Sequence, residues 1–273
     1  MEYAEVAAPA PLDTLVRCFW FLSGDDLGGD PQVIVPDGRL EIILHLAEPF
    51  QRIDAHDCAH VQAATLVSGQ LTAPLRLRPG GAADIVGIRF RTAAARAVLP
   101  LPLAELTDRV ESLADVLPHL ARSLSAAAAR SHGVPARVAA LAGVLTRFVV
   151  RAPDPLATAV LRSMENTQSV RLGLIADHYG VTARTLERKL REHAGLPPNV
   201  MRRLLRFRRA FRMLDQAPAG TWAQVAARAG YFDQAHLIRD FRQFAGAAPS
   251  EFFGSSPDLA RAILGGDEDE AAA

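Results

Sequence analysis

Lysine is almost missing from this chain: Lys189 is the single one, against 29 arginines. Its positive charge is therefore nearly all guanidinium, a planar and permanently charged fork suited to phosphate and to the guanine edge. Such a bias also suggests a GC-rich coding sequence and a bacterial source. Cysteine is scarce too. Cys18 and Cys58 are the only two, too few for a disulfide framework, which points to a reducing cytoplasm. No apolar run is long enough to span a bilayer, and no cleavable leader pattern is present. A nucleophile–base pair and a phosphate-binding loop are also missing, so no catalytic activity and no cofactor are expected. Net charge is zero, 30 basic residues against 30 acidic, and taken whole it names no partner.

The charge is not evenly spread. Residues 160–255 hold 15 Lys and Arg against 8 Asp and Glu, a net of +7, which leaves −7 for the remainder. A basic segment joined to an acidic one is the asymmetry of a nucleic-acid module attached to something else. Within the basic segment lies a near-repeat. Leu174-Ile175-Ala176, Gly180, Leu186, Arg188, Leu190 and Arg191 are answered by Val225-Ala226-Ala227, Gly230, Leu237, Arg239, Phe241 and Arg242. The turn glycines are 50 residues apart and the pairs beyond them 51, so the second turn carries one extra residue. Two short helices meeting at a glycine turn, the second polar on its outer face, form a helix-turn-helix unit. The spacing predicts two such units in tandem.

At about 100° per residue, Leu186 and Leu190 share one side of a helix that opens near Thr182, with Arg184, Arg188 and Arg191 opposite. The same sum puts Leu237, Phe241 and Phe244 inward on the second reading helix and Ala235, Arg239 and Arg242 outward. A long helix between the units repeats the plan: Val200, Leu204, Phe207, Phe211 and Leu214 make its apolar stripe, and Arg202, Arg206 and Arg209 fall roughly opposite, free to meet something anionic. Thr182 and Asp233 are placed to cap the two reading helices, Ser169 to cap the first helix of unit one, and Thr221 with Gln224 to form a capping box ahead of unit two. Gly180 and Gly230 suit the left-handed position after a helix. Pro197-Pro198 should break the chain before the long helix, and Pro218 with Gly220 should end it.

On these residues the chain resembles the AraC/XylS family of transcriptional regulators. The run Ala227–Phe252, with its Phe241-x-x-Phe244-x-Gly246-x-x-Pro249 ending, is similar to that family's C-terminal signature, and Leu174 through Pro198 is similar to its first unit. The resemblance covers roughly residues 155–253. It implies binding to two successive major grooves on one face of double-stranded DNA, with RNA polymerase as a further partner, and activation in response to a small molecule or stress. Carried over by position, it sets Arg184, Glu187 and Arg188 at the base-reading positions of the first helix and Gln234, Ala235, Ile238 and Arg239 at those of the second. The full set expected at the DNA is Thr182, Arg184, Thr185, Glu187, Arg188, Arg191, Gln234, Ala235, His236, Arg239 and Arg242. Two positions depart from the family: Ile238 replaces a small hydroxyl residue and Ala235 a frequent serine. Unit two should therefore read sequence by methyl contact or serve for positioning. Glu187 can accept from cytosine N4, or pair with Arg184 or Arg191. His236 suits a backbone or phosphate contact, while Trp222 and Tyr231 suit the core.

The front of the chain differs. Val33-Ile34-Val35 leads into a Pro36-Asp37-Gly38 turn. Leu40–Leu46, Ala64–Val67, Leu75–Arg78 and Ile85–Phe90 then read as short strands, which suggests a small barrel or sandwich. Pro36-Asp37-Gly38 and Gly87-Ile88-Arg89-Phe90 look like elements of the β-rich sensor domains that precede this kind of DNA-binding module. From 103 to 151 two helices are expected, Leu113–Ser131 and Pro135–Arg151. The fold class is thus α+β: a β-rich, barrel- or cupin-like domain at 1–152 for an unknown small-molecule effector, its helices at 103–151 able to mediate a homodimer; an all-α DNA-binding domain at 153–256; and an acidic tail at 257–273. A rival reading makes the front half a cupin-like metalloenzyme or a metal or redox sensor tethered to DNA, with His45, His56, Cys58 and His60 as ligands on an extended segment. Its counter-reading is that residues 51–60 form a polar hairpin.

Overall fold

Val16–Gly24 and Ala83–Phe90 are buried along most of their length, the pattern of strands covered on both faces. They form the centre of the larger of two antiparallel sheets. The structure, a computed structural model, describes residues 1–25, 27, 29–166, 171–216, 222–255 and 258–265. Its strands are β1 (Glu2–Ala7), β2 (Val16–Gly24), β3 (Gln32–Ile34), β4 (Glu41–His45), β5 (Gln51–Ile53), β6 (Ala59–Val61), β7 (Thr65–Ser68), β8 (Leu75–Arg78), β9 (Ala83–Phe90) and β10 (Val110–Ser112). The large sheet runs β1-β2-β9-β4-β7-β10 and the small one β3-β8-β5-β6. The two sheets do not close, so the barrel expected from the strand spacing is an open two-sheet arrangement.

One face of the large sheet carries Phe19, Phe21, Ile42 and Ile88 against helices α2 (Pro118–Arg130) and α3 (Val134–Phe148), which follow the short α1 (Leu113–Val116). The helical stripes predicted from Leu120, Leu124, Val138, Leu141 and Leu145 are the buried ones. The other face carries Trp20, Leu22 and Ile85 toward Ile34 and Leu77 of the small sheet. Trp20 lies across Gly87, its partner in register, and a Cβ at 87 would stand 1.8 Å from the indole. Only glycine fits there. Beside it the fully buried Arg89 donates to Glu41 at 2.6 Å and to Glu5 at 2.7 Å, with Asp37 3.7 Å away. Burial opposes the charge on Arg89, yet Glu41 and Asp37 hold its pKa above the ordinary arginine value. The Pro36-Asp37-Gly38 turn and the Gly87–Phe90 strand, distant in sequence, therefore meet at one buried ion cluster.

The C-terminal half is helical: α4 (Pro155–Asn166), α5 (Leu172–His178), α6 (Ala183–Ala194), α7 (Pro198–Gln216), α8 (Trp222–Ala229), α9 (Gln234–Ala245), α10 (Pro249–Gly254) and α11 (Asp258–Gly265). One core gathers Leu186 and Leu190 of α6, Leu204, Phe207 and Phe211 of α7, Leu237, Phe241 and Phe244 of α9, and Phe252. The Phe207 and Phe241 rings meet edge-on at 4.9 Å. Among the described residues no helix is long and apolar enough to cross a membrane. The expected caps at Ser169 and Thr221, the stop at Pro218 and Gly220, and the acidic run Asp267–Glu270 lie outside the described residues.

The two halves are packed together. Thr107 donates to the carbonyl of Gly195 at the end of α6 (2.7 Å), and the buried Arg96 pairs with Glu192. Gln243 near the end of α9 donates to the Thr72 carbonyl (3.0 Å). Thr72 is itself held by both carboxylate oxygens of Asp108. On the other flank Leu259 of α11 packs with Trp20, Leu22 and Ile85, while Ala260 and Leu264 join the helical core.

Candidate nucleic-acid interface

The two helix-turn-helix units close in the same way. Val181 N–H donates to Ala176 O at 2.9 Å, and Tyr231 N–H to Ala226 O at 2.8 Å. Gly180 and Gly230 stand at φ +60° and +87°, the left-handed region where a side chain would be strained. Thr182 accepts from Thr185 N–H at 3.1 Å, and Asp233 from His236 N–H at 2.7 Å, so both predicted residues cap their helices through the third residue's amide. Both reading helices are 12 residues long and end on a left-handed glycine, Gly195 and Gly246. The repeat seen in the sequence is thus a repeat of hydrogen bonds, with one correction: they match Ala176 to Ala226, one residue before the Ala227 that the sequence repeat set against it.

With that frame fixed, the outward faces follow. Thr182, Arg184, Glu187, Arg188 and Arg191 are exposed and Thr185 is half-buried; Gln234, Ala235, Arg239 and Arg242 are exposed, while His236 and Ile238 are half-buried. Each unit presents guanidinium at its two shared outward positions, Arg188 with Arg239 and Arg191 with Arg242. Glu187 pairs with Arg191 at 3.0 Å, one of the partners expected for it. Arg188 has Glu192 3.6 Å away, but Glu192 is also bound by Arg96 of the β-rich domain. These contacts are exposed and weak, in the range of a few tenths of a kcal/mol, so phosphate can displace them.

The arginines of α7 correct a sequence expectation. Arg202 is exposed, but Arg206 and Arg209 do not wait for an anion. Arg206 reaches Asp240 at 3.1 Å and His236 at 3.0 Å and lies 4.4 Å over the Tyr231 ring, while Arg209 donates to the carbonyls of Met164 and Glu165. Arg203 joins Asp240 at 2.8 Å. Asp240 is buried on the inner flank of α9 and ties that helix to α7. Sequence reasoning passed over it, although at 100° per residue it falls only about 60° from Leu237, on the buried side. Burial first, then the Arg206 guanidinium, lower the pKa of His236. Tyr231 is buried and Trp222 partly so, as expected. Leu174, expected in the apolar run of α5, points outward instead, while Ala176 is buried.

The histidine–cysteine group does not converge. Asp54 accepts from the amides of His56 and Cys58 and meets His60 Nε2 at 2.9 Å, and Asp57 turns the chain at φ +57°. Residues 51–61 form the β5–β6 hairpin of the small sheet rather than one extended segment. His45 is in the large sheet, beside Phe50, where burial pushes its pKa down to about 4. Among the described residues no group of three or more His, Cys, Asp or Glu side chains is placed to hold a metal ion.

Two capped helices with outward guanidinium, mounted on one core as tandem helix-turn-helix units, define a DNA-binding domain. Residues 175–255 match the family described as a helix-turn-helix domain, and this region is an AraC-type helix-turn-helix domain, that of a DNA-binding transcription regulator. Residues 4–112 match a family described as a domain of unknown function (DUF6597). Among solved structures, an apo ToxT variant from Vibrio cholerae is 12% identical and aligns over 86% of this chain and 97% of its own, with a TM-score of 0.48. The DNA-binding domain of AdpA, a global transcriptional factor solved with a target DNA, is 25% identical over 37% of this chain and 92% of its own, TM-score 0.34. An AraC-type regulator from Chromobacterium violaceum is 25% identical over 36% and 87%, TM-score 0.31. No curated protein matches the chain.

Proposed function

We propose that this chain is a sequence-specific transcriptional regulator which lays α6 and α9 into two successive major grooves of one duplex and answers a small-molecule or stress signal through residues 1–152. The observation that carries the reading is the matched pair of capped helices with Arg188 and Arg239, and Arg191 and Arg242, at equivalent outward positions. The N-terminal residues of such helices reach base edges and their arginines clamp phosphate or guanine. In this reading Arg184 and Arg188 read bases in unit one, Gln234, Ala235 and Arg239 contact them in unit two, and Thr182, Thr185, Arg191, His236 and Arg242 position the helices. The reading domain spans 153–256. Contacts at Thr107–Gly195 and Thr72–Gln243 reach the far ends of both reading helices and give the front domain a mechanical route to them.

The test is selection of bound sequences from a random duplex pool, followed by salt titration. Two conserved blocks about 34 Å apart are expected, with log affinity falling linearly in log salt. Arg188→Glu should weaken binding at least thirtyfold and flatten the preference in one block only. Binding unaltered by that reversal would remove α6 from the interface.

A further inference from the structure

Residue 232 has no counterpart in unit one. Val181 and Tyr231 make the same turn hydrogen bond at an offset of 50, and Thr182 and Asp233 make the same cap at an offset of 51, so Phe232 is the extra residue. It is also the most solvent-exposed large apolar side chain among the described residues, at 93%, against 69% for Val61, the next. A turn insertion needs no ring; serine, asparagine or glycine would serve without putting an aromatic face in water. Phe232 stands one residue ahead of the cap of α9, at the end of that helix which enters a groove first. Beside it on α9 come the exposed Gln234 and Ala235, with Arg239 and Arg242 farther along. Unit one has Arg184 where unit two has Ala235, and Glu187 where unit two has Ile238.

We propose that Phe232 is a specificity residue: its ring packs on the C5 methyl of a thymine under unit two, so that this unit reads apolar shape while unit one reads hydrogen-bonding edges. Phenylalanine and alanine are both suited to the thymine methyl, and the neighbouring arginines supply the phosphate clamp that brings the ring to the groove. This rests on the DNA-binding role proposed above.

The experiment uses the full chain and its selected duplex. Each thymine in the block read by unit two is replaced in turn by deoxyuridine, which lacks only the methyl, and affinity is measured for the wild type, Phe232→Ala and Phe232→Leu. At one thymine the wild type should lose about tenfold on methyl removal. Phe232→Ala should lose a similar factor on the thymine duplex and nothing further on the uracil one, with Phe232→Leu between them. An unchanged affinity for Phe232→Ala overturns the proposal and turns the ring toward a protein partner. Losses that multiply independently overturn it too, because the ring would then meet sugar rather than methyl. Unfolding midpoints equal to the wild type's exclude a folding effect. If the wild type selects no duplex from the random pool, the DNA-binding reading itself has failed, not this refinement of it.

Discussion

Units one and two share a skeleton and differ in what is hung on it. Turn glycines, caps, helix length and terminal glycines correspond one to one, and so do Leu186 with Leu237 and Leu190 with Phe241. At the position that anchors each reading helix the charge is reversed. Lys189 of α6 pairs with Asp154 at the start of α4, whereas Asp240 of α9 pairs with Arg203 and Arg206 of α7. Unit one is thus tied to the segment leading in from the β-rich domain, and unit two to the helix that joins the units. The contrast teaches that the hydrophobic repeat sets the shape twice over, while the polar residues decide to which neighbour each copy is fastened.

Removing the anchors should separate the units most. Asp240→Ala takes a buried carboxylate from two guanidiniums. The typical loss for such a pair is 3–5 kcal/mol, and because Arg203 and Arg206 keep some access to water we expect about 3 kcal/mol, read by urea unfolding. Lys189→Ala should cost about 1 kcal/mol, since that pair is part-exposed. Equal losses would show that the two anchors do equivalent work and would cancel the contrast.

Much of this was legible in the residues alone. The caps Thr182 and Asp233, the turn glycines, the outward arginines and the buried stripe of α7 all follow from local rules of three or four residues, and local rules survive folding. What escaped depended on distance. Arg206 and Arg209 looked free because their partners, Asp240 and the last turn of α4, lie more than thirty residues away along the chain. The strand β2 lacks clear alternation because it is covered on both faces. Asp37, Glu41 and Arg89 could not be joined without the sheet register. An extra residue in the second turn was visible, but that it is Phe232, and that the ring is exposed, was not.

A smaller effect should fall on one unit alone. Glu192 is shared between the buried Arg96 and the reading-face Arg188. In Arg96→Ala the carboxylate keeps, among the described residues, Arg188 and the buried His193 as its partners, so Arg188 is partly neutralised. Affinity for DNA should fall severalfold, with the loss confined to the block read by unit one and diminishing as salt is raised. A loss shared by both blocks would mean that Arg96 acts by holding the domains together instead. That outcome would move the link between the halves of the molecule from electrostatics to packing.

The smallest effect expected is a proton at His236, which stands where unit one has Thr185. Burial and then the Arg206 guanidinium hold its pKa below the ordinary value near 6.5. Arg206 donates to its Nε2, an arrangement that requires the neutral ring. The folded state therefore refuses a proton that the unfolded chain accepts, and the stability this contributes is present above about pH 6.5 and lost as pH falls toward the depressed folded value. His236→Thr gives unit two the residue of unit one and removes that dependence. The difference in unfolding free energy between wild type and variant should shrink, or turn in the variant's favour, from pH 7 to pH 5. The same variant should leave the cap intact, because Asp233 accepts from the backbone amide of residue 236 and not from its side chain. A constant difference over that range would mean that Arg206 releases the ring when it charges, and that unit two is held by Asp240 alone.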